Sequence, residues 1–265
     1  MLLKNLCALA ALSSTALSSA CSPAPDEATQ PGAGGVRHLV PEILAVHGFD
    51  ESSFTQGLEV DGEHLLVGTG QYGTSGIYRT TLEGQKTAVQ TLDNQYFGEG
   101  ITRSGEHVWQ LTWKAGIAFK RDADTLEAID EVSYDGQGWG LCAQDDALIM
   151  SDGTAEIRHL DPETFEESSR VTVTREGSPV EAINELECVD GMVYANLFTE
   201  TDIIQFDPHS GEVVAVIDAS NLPNNAAPDR DNVLNGIAHI PGTDRFYLTG
   251  KRWPDLYEVR FVDAD

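Results

Sequence analysis

From about residue 38 to the end of the chain, short apolar runs alternate with turns carrying Asp or Gly, and the same order of runs returns five times. Stacked, the copies begin QGLEVDGEHLLVGTG (Gln56), EGITRSGEHVWQLTW (Glu99), WGLCAQDDALIMSDG (Trp139), NELECVDGMVYANLF (Asn184) and NGIAHIPGTDRFYLTGK (Asn235). Each is an apolar strand, a tight turn and a second apolar strand, which predicts a hairpin. A third strand follows in every copy (GIYRTTL, GIAFKRD, AEIRHLD, DIIQFDP, DLYEVRF), with the apolar–polar alternation of a sheet packed on neighbours. A fourth follows in four copies: AVQTLD, AIDEVSY, SRVTVTR and VVAVIDA.

The fifth copy stops after its third strand, while a spare strand, HLVPEILAVHGF from His38, precedes the first. In a ring of blades that spare strand completes the last sheet and covers two edges that would otherwise be open. With Gly57, Gly100, Gly140, Glu185 and Gly236 equivalent, the repeats are spaced by 43, 40, 45 and 51 residues. Four-stranded propeller repeats run about 40 to 50. The expected fold is therefore all-β, a five-bladed β-propeller of four-stranded antiparallel blades closed by the N-terminal strand. A sandwich of hairpins accounts for neither the common motif nor the missing strand.

Such a fold turns the repeat into a coordinate system. The residue before each equivalent glycine starts a first strand facing the axis: Gln56, Glu99, Trp139, Asn184, Asn235. The second strand returns antiparallel, so its end lies beside that start: Gly70, Trp113, Asp152, Phe198, Lys251. Columns that only filled space would converge on one residue type, because every blade poses nearly the same packing problem. These two instead gather acids, a cation, carboxamides and aromatics, the composition of a small-ligand pocket. Singly, each has a bland explanation: packing for Trp113 and Trp139, turn formation for Asn184 and Asn235, satisfaction of a backbone group for Gln56, a solvated pair for Lys251 with Arg252. Glu99, between two glycines with little side-chain cover, is the hardest to explain so. Desolvation there would raise its pKa into the range useful for proton transfer.

Composition narrows the partners. The formal net charge is −27, and removing residues 1–20 deletes only Lys4. A field of that sign repels phosphate backbones and anionic lipid, which excludes nucleic acid as a partner. Residues 1–20, with one basic residue, a Leu/Ala-rich run and small residues after it, have the layout of a secretory signal peptide, and the run is too diluted by serine to span a membrane. Leu17-Ser18-Ser19-Ala20-Cys21 resembles a lipobox whose Leu stands one place early, so Cys21 is a candidate lipid anchor. Residues 21–37 read as a flexible linker and 38–265 as the catalytic propeller. The expectation is an exported monomer, either a periplasmic or outer-membrane-tethered lipoprotein or a secreted protein, touching a membrane only through that anchor. Cys142 and Cys188 lack the spacing of a zinc site, and no metal or cofactor is expected. They fall one column apart on equivalent strands, hence on opposite faces, which argues against a disulfide.

The motifs FTQGLE (Phe54), YFGEG (Tyr96), LTWK (Leu111), GWGL (Gly138), INELE (Ile183), YANLF (Tyr194), LNGIA (Leu234) and TGKRWP (Thr249), in that order, resemble the plant and bacterial type of glutaminyl-peptide cyclotransferase, from Val40 to the C-terminus. The resemblance implies a five-bladed propeller without a catalytic metal. It implies conversion of the N-terminal glutamine of peptides to pyroglutamate with release of ammonia. It makes Glu99 the proton shuttle. Gln56, Asn184 and Lys251 would hold the substrate amide or stabilise charge, with Trp113 and Trp139 as aromatic walls. Phe198 stands where relatives commonly have Trp, which keeps the wall and drops an N–H donor. Two other readings compete: a non-catalytic extracellular binding propeller, and a calcium-dependent lactonase-like propeller that would gather Glu99, Asn184, Asn235 and Asp152 around an ion.

Overall fold

The computed structural model describes residues 35–264 apart from Asp145. The expected signal peptide, the candidate anchor Cys21 and most of the expected linker lie outside the described residues. The strands are β1 (Arg37–Gly48), β2 (Thr55–Asp61), β3 (His64–Thr69), β4 (Gly76–Thr80), β5 (Lys86–Thr91), β6 (Gly98–Ser104), β7 (His107–Thr112), β8 (Ile117–Asp122), β9 (Ala128–Ser133), β10 (Leu141–Gln144), β11 (Ala147–Ser151) and β12 (Glu156–Leu160). They continue with β13 (Glu167–Thr172), β14 (Thr174–Arg175), β15 (Ser178–Pro179), β16 (Ile183–Val189), β17 (Met192–Leu197), β18 (Asp202–Phe206), β19 (Val213–Asp218), β20 (Leu234–His239), β21 (Arg245–Gly250) and β22 (Asp255–Asp263). Among the described residues there is no helix.

β2–β5, β6–β9 and β10–β13 form three separate four-stranded antiparallel sheets. β14 and β15 pair as a small two-stranded sheet, and the remaining strands form one mixed eight-stranded sheet in the order β16-β17-β18-β19-β1-β22-β21-β20. The spare N-terminal strand lies at its centre, antiparallel to β22 from Leu39↔Asp263 to Gly48↔Asp255. It also runs parallel to β19 over Arg37↔Ala215 to Leu39↔Ile217, a pairing the repeat pattern does not reveal. β2, β6, β10, β16 and β20 contact one another in succession, and β20 returns to β2.

Local chemistry explains the turns. Asp190 and Gly191 between β16 and β17 take φ of 50° and 81°, as a two-residue hairpin with the sheet's own twist requires. Between third and fourth strands a device recurs that the strand pattern hides. Asp122, Asp161 and Asp207 each accept two backbone N–H groups two and three residues on. Four residues after each Asp the chain turns left-handed, at Leu126, Phe165 and Gly211. The Leu126 and Phe165 side chains are buried, and that burial offsets the backbone cost.

The core divides into clusters that each lie between successive four-stranded units. Ile77 of β4 packs with Val108 of β7, Trp109 of β7 with Leu148 of β11, and Ile149 of β11 with Val193 of β17. Ile203 of β18 packs with Leu248 of β21, and Leu256 of β22 returns to Leu65 of β3. Sheets therefore stack face to face, the front of one on the back of the next. That corrects the expectation for the cysteines: Cys142 and Cys188 are bonded, with Cα atoms 5.5 Å apart. Opposite faces of one sheet never meet, but opposite faces of neighbouring stacked sheets do, so the one-column offset that argued against a bridge is what brings the sulfurs together.

Candidate active site

The first strands carry their polar residues on bulges. Register shifts occur at Thr55/Gly57, Gly98/Ile101, Ile183/Leu186 and Leu234/Ile237, bracketing Gln56, Glu99, Asn184 and Asn235. A bulge re-aims a side chain out of the sheet's alternation, which is why bulges gather beside active sites. Glycines then let backbones close in. A Cβ on Gly100 would stand 2.7 Å from Leu141 N and Trp139 O, and Gly100 N–H donates to Trp139 O across the same gap. Where the column carries Glu185 instead, its buried carboxylate accepts the N–H groups of Leu58 (3.2 Å) and Ile237 (3.0 Å), tying β16 to β2 and β20.

At the end of the inner strands where these bulges lie, a cavity of about 220 Å³ is lined by Gln56, Glu99, Trp113, Trp139, Asn184, Phe198 and Lys251, together with Phe54, Phe97, Gln71 and Asp231. The first seven are residues the two columns single out. Phe54 and Phe97 stand two residues before Gln56 and Glu99, and the period of two could have found them. Gln71 and Asp231 lie on loops, where the repeat carries no signal. Three column residues are elsewhere, Gly70 among them. Asp152 turns away to Arg158 (3.0 Å) and to its own turn at Thr154, so the set a calcium site would need is not assembled. Asn235 was expected on the wall; it is fully buried behind it, held by hydrogen bonds to Asn184, Thr55 O and Gln56.

From there Asn235 orders the carboxamides. It accepts from Asn184 Nδ2 (2.6 Å) and donates to Thr55 O (2.9 Å) and Gln56 Oε1 (3.4 Å). Asn184 is thus left with its Oδ1 as the free acceptor, and Gln56 with its N–H groups toward Glu99, to which it is hydrogen-bonded. Asn235 is a positioning residue. The walls are ordered too: both indole N–H groups, Trp113 (2.6 Å) and Trp139 (3.2 Å), donate to Gln137 Oε1. Phe97 meets Trp113, and Trp139 meets Phe198, edge to face at 5.5 Å. Gly70, the second-column residue with no side chain, leaves room for Phe97, whose ring any Cβ there would strike.

Burial sets the electrostatics. Glu99 is 4 % exposed, and desolvation pushes its pKa well above the usual carboxylate value, against the opposing pull of Lys251 and Gln56. Lys251 is 3 % exposed, and desolvation brings it down to about 8, against Glu99 and Asp231. Its Nζ lies 5.1 Å from the Phe54 ring and 5.0 Å from Phe198, a cation held by aromatic faces. Among the described residues no ion pair joins Lys251 to Glu99 within 4.0 Å. A small polar group can sit between an acid and an amine whose pKa values have been brought toward each other, and a proton can be taken up and handed back there.

An all-β molecule of repeated antiparallel sheets, with an acid and an amine in an aromatic cavity at the ends of its inner strands, has the makings of an acid–base enzyme. Comparison with known proteins narrows the class. The glutamine cyclotransferase family matches residues 11–261, and the chain belongs to that family. It is 33% identical over 229 residues to a glutaminyl-peptide cyclotransferase of Arabidopsis thaliana, covering 84% of this chain and 72% of that one. The crystal structure of Myxococcus xanthus glutaminyl cyclase superposes with a TM-score of 0.82 at 36% identity, covering 87% of this chain and 100% of the other.

Proposed function

We propose that this glutaminyl-peptide cyclotransferase closes the N-terminal glutamine of a peptide into pyroglutamate with Glu99 as the proton carrier. The observation that carries the assignment is the buried Glu99 carboxyl, raised in pKa and set opposite Lys251 in an aromatic cavity. The substrate's α-amine attacks its own γ-carboxamide carbon, so nucleophile and electrophile are already joined and only the folded-back rotamer must be selected. Trp113, Trp139, Phe97 and Phe198 select it by shape. As the new C–N bond forms, Glu99 takes one proton from the amine nitrogen. It delivers that proton to the carboxamide nitrogen, the old C–N bond breaks, and ammonia leaves. The carbonyl oxygen gains negative charge in between, and the Lys251 ammonium is the donor that stabilises it. Asn184 Oδ1 accepts from a substrate N–H. Every step uses groups of this chain, and none requires a metal.

The same reading takes the eight-stranded sheet as two blades joined along β19 and β1, giving a five-bladed propeller over residues 38–265. Support comes from the cyclic contact of the five inner strands and from core clusters lying between successive units. Export of a monomer, with residues 1–20 as signal and Cys21 as the site of lipidation, fits the Cys142–Cys188 bridge, since such bonds persist in oxidising compartments. The test of the mechanism is ammonia release from an N-terminal glutaminyl peptide. Glu99→Gln, which keeps the shape of the side chain and removes its capacity to carry a proton, should lower kcat by about 10²- to 10⁴-fold while leaving the melting temperature in place. Cyclisation by that variant at the wild-type rate overturns the mechanism.

A further inference from the structure

A second cavity, of about 380 Å³, shares Phe54 and Gln71 with the first. Its charge is inverted relative to the molecule. In a chain with 43 Asp and Glu against 16 Lys and Arg, its walls include two cations, Lys86 and Arg252, and no carboxylate. Hydroxyl and amide groups of Ser52, Thr74 and Gln90 complete a polar lining.

The two cations differ. Lys86 is paired with Asp50, which stands outside the cavity, and lies over the Tyr78 ring. Arg252 makes no ion pair among the described residues. It donates through one nitrogen to Asn232 Oδ1 (3.1 Å) and stacks on Phe54 at 4.7 Å, leaving other N–H groups of its fork for a ligand. Its backbone is left-handed, φ 56°, held by an N–H bond to Ser53 O (2.8 Å). That twist sends consecutive side chains to neighbouring cavities, Lys251 into the first and Arg252 into the second. Gln71, on the shared wall, also has a backbone that L-residues rarely adopt, φ 104°, fixed by Ser75 Oγ donating to its carbonyl at 2.7 Å. Strain kept at a wall between two cavities marks a position that function holds in place.

We propose that this second cavity is a subsite for the part of the substrate after its N-terminal glutamine, and that Arg252 there receives a carboxylate. The proposal rests on the cyclotransferase reading of the first cavity, with Phe54 and Gln71, the lining that the two cavities share, as the way by which the rest of the peptide would pass from one to the other. The carboxylate has two sources: an acidic side chain at the second position, or the free C-terminus of a dipeptide.

Two substrate pairs separate the sources, glutaminyl-glutamate amide against glutaminyl-glutamine amide, and glutaminyl-glycine against its amide, each at about 0.15 M salt so that the long-range field of the acidic surface is screened. The carboxylate member of at least one pair should have kcat/KM about 3- to 10-fold higher, expressed through KM. Arg252→Gln should bring that ratio to about one. Equal kcat/KM within both wild-type pairs overturns the subsite, and so does a ratio that survives Arg252→Gln. Should that variant fail to fold, product inhibition of the wild type decides: in the pair that shows the preference, the carboxylate product, pyroglutamyl-glutamate amide or pyroglutamyl-glycine, must inhibit more strongly than its uncharged counterpart. Failure to cyclise any of the four peptides would reject the cyclotransferase reading itself, whereas equal cyclisation of all four rejects the subsite alone.

Discussion

Glu99 and Lys251 pull on each other's protons, and the pH dependence of the reaction should report it. The carboxylate needed to take the amine proton grows as pH rises through the elevated Glu99 value; the ammonium needed to stabilise the oxyanion is lost as pH passes about 8. The kcat/KM profile is therefore expected to be a bell with its falling limb near pH 8. The substrate amine cannot produce that limb, since its reactive neutral form only increases with pH. Lys251→Arg carries a charge that does not titrate in this range, so it should lower activity yet abolish the falling limb. A limb that stays at pH 8 in that variant would remove Lys251 from the role. At this scale the sequence was informative wherever symmetry broke: Glu99, Gln56 and both tryptophans stand out as columns that do not repeat. It could not tell depth along the column. Asn235 and Asn184 are equivalent by position and both sit on bulges, and only the packing of one strand against the next separates the one that lines the cavity from the one behind it.

The strands themselves were legible, including the absent fourth strand of the last copy, because alternation and hairpin turns are local properties of the chain. What joins neighbouring elements was not. The Cys142–Cys188 bond spans two stacked sheets, and its geometry depends on which faces oppose, a tertiary fact invisible to any one strand. The bond closes a segment of 46 residues, worth ~4 kcal/mol by chain-entropy arithmetic. Replacing both cysteines by alanine should lower the melting temperature by many degrees while the cavity, which neither cysteine lines, keeps its KM. An unchanged melting curve would show that stacking alone fixes these two sheets. The Asp-led turns before β9, β13 and β19 were overlooked for a different reason: their signal is a capping side chain, with no apolar period to draw attention to it.

For the molecule as a whole, charge sets a slope of stability with pH. Burial among the inner strands raises Glu185 and Glu187 well above the ordinary value and brings Glu59 up to about 7. A carboxyl raised on folding favours the native state fully below its unfolded value, and that contribution is lost as pH climbs through the folded one. Repulsion within a net charge of −27 grows in the same direction. Asp50, held down to about 2, acts oppositely but only below its ordinary value of 3.8. The melting temperature should accordingly be higher at pH 5 than at pH 8, and salt should recover the surface part of the difference but not the buried part. Calorimetry showing equal stability at the two pH values would contradict this.

The pairing of β1 with β22 places the two ends of the folded chain side by side, Arg37 bonded to Asp263 at 2.9 Å, with Leu39 opposite Asp263 and Gly48 opposite Asp255. A load applied across those ends does not shear the pair along its length. It peels the ladder open from one end, each hydrogen bond taking the whole force in turn. The β1–β22 seam is therefore a mechanical fuse set between the two ends of the folded body.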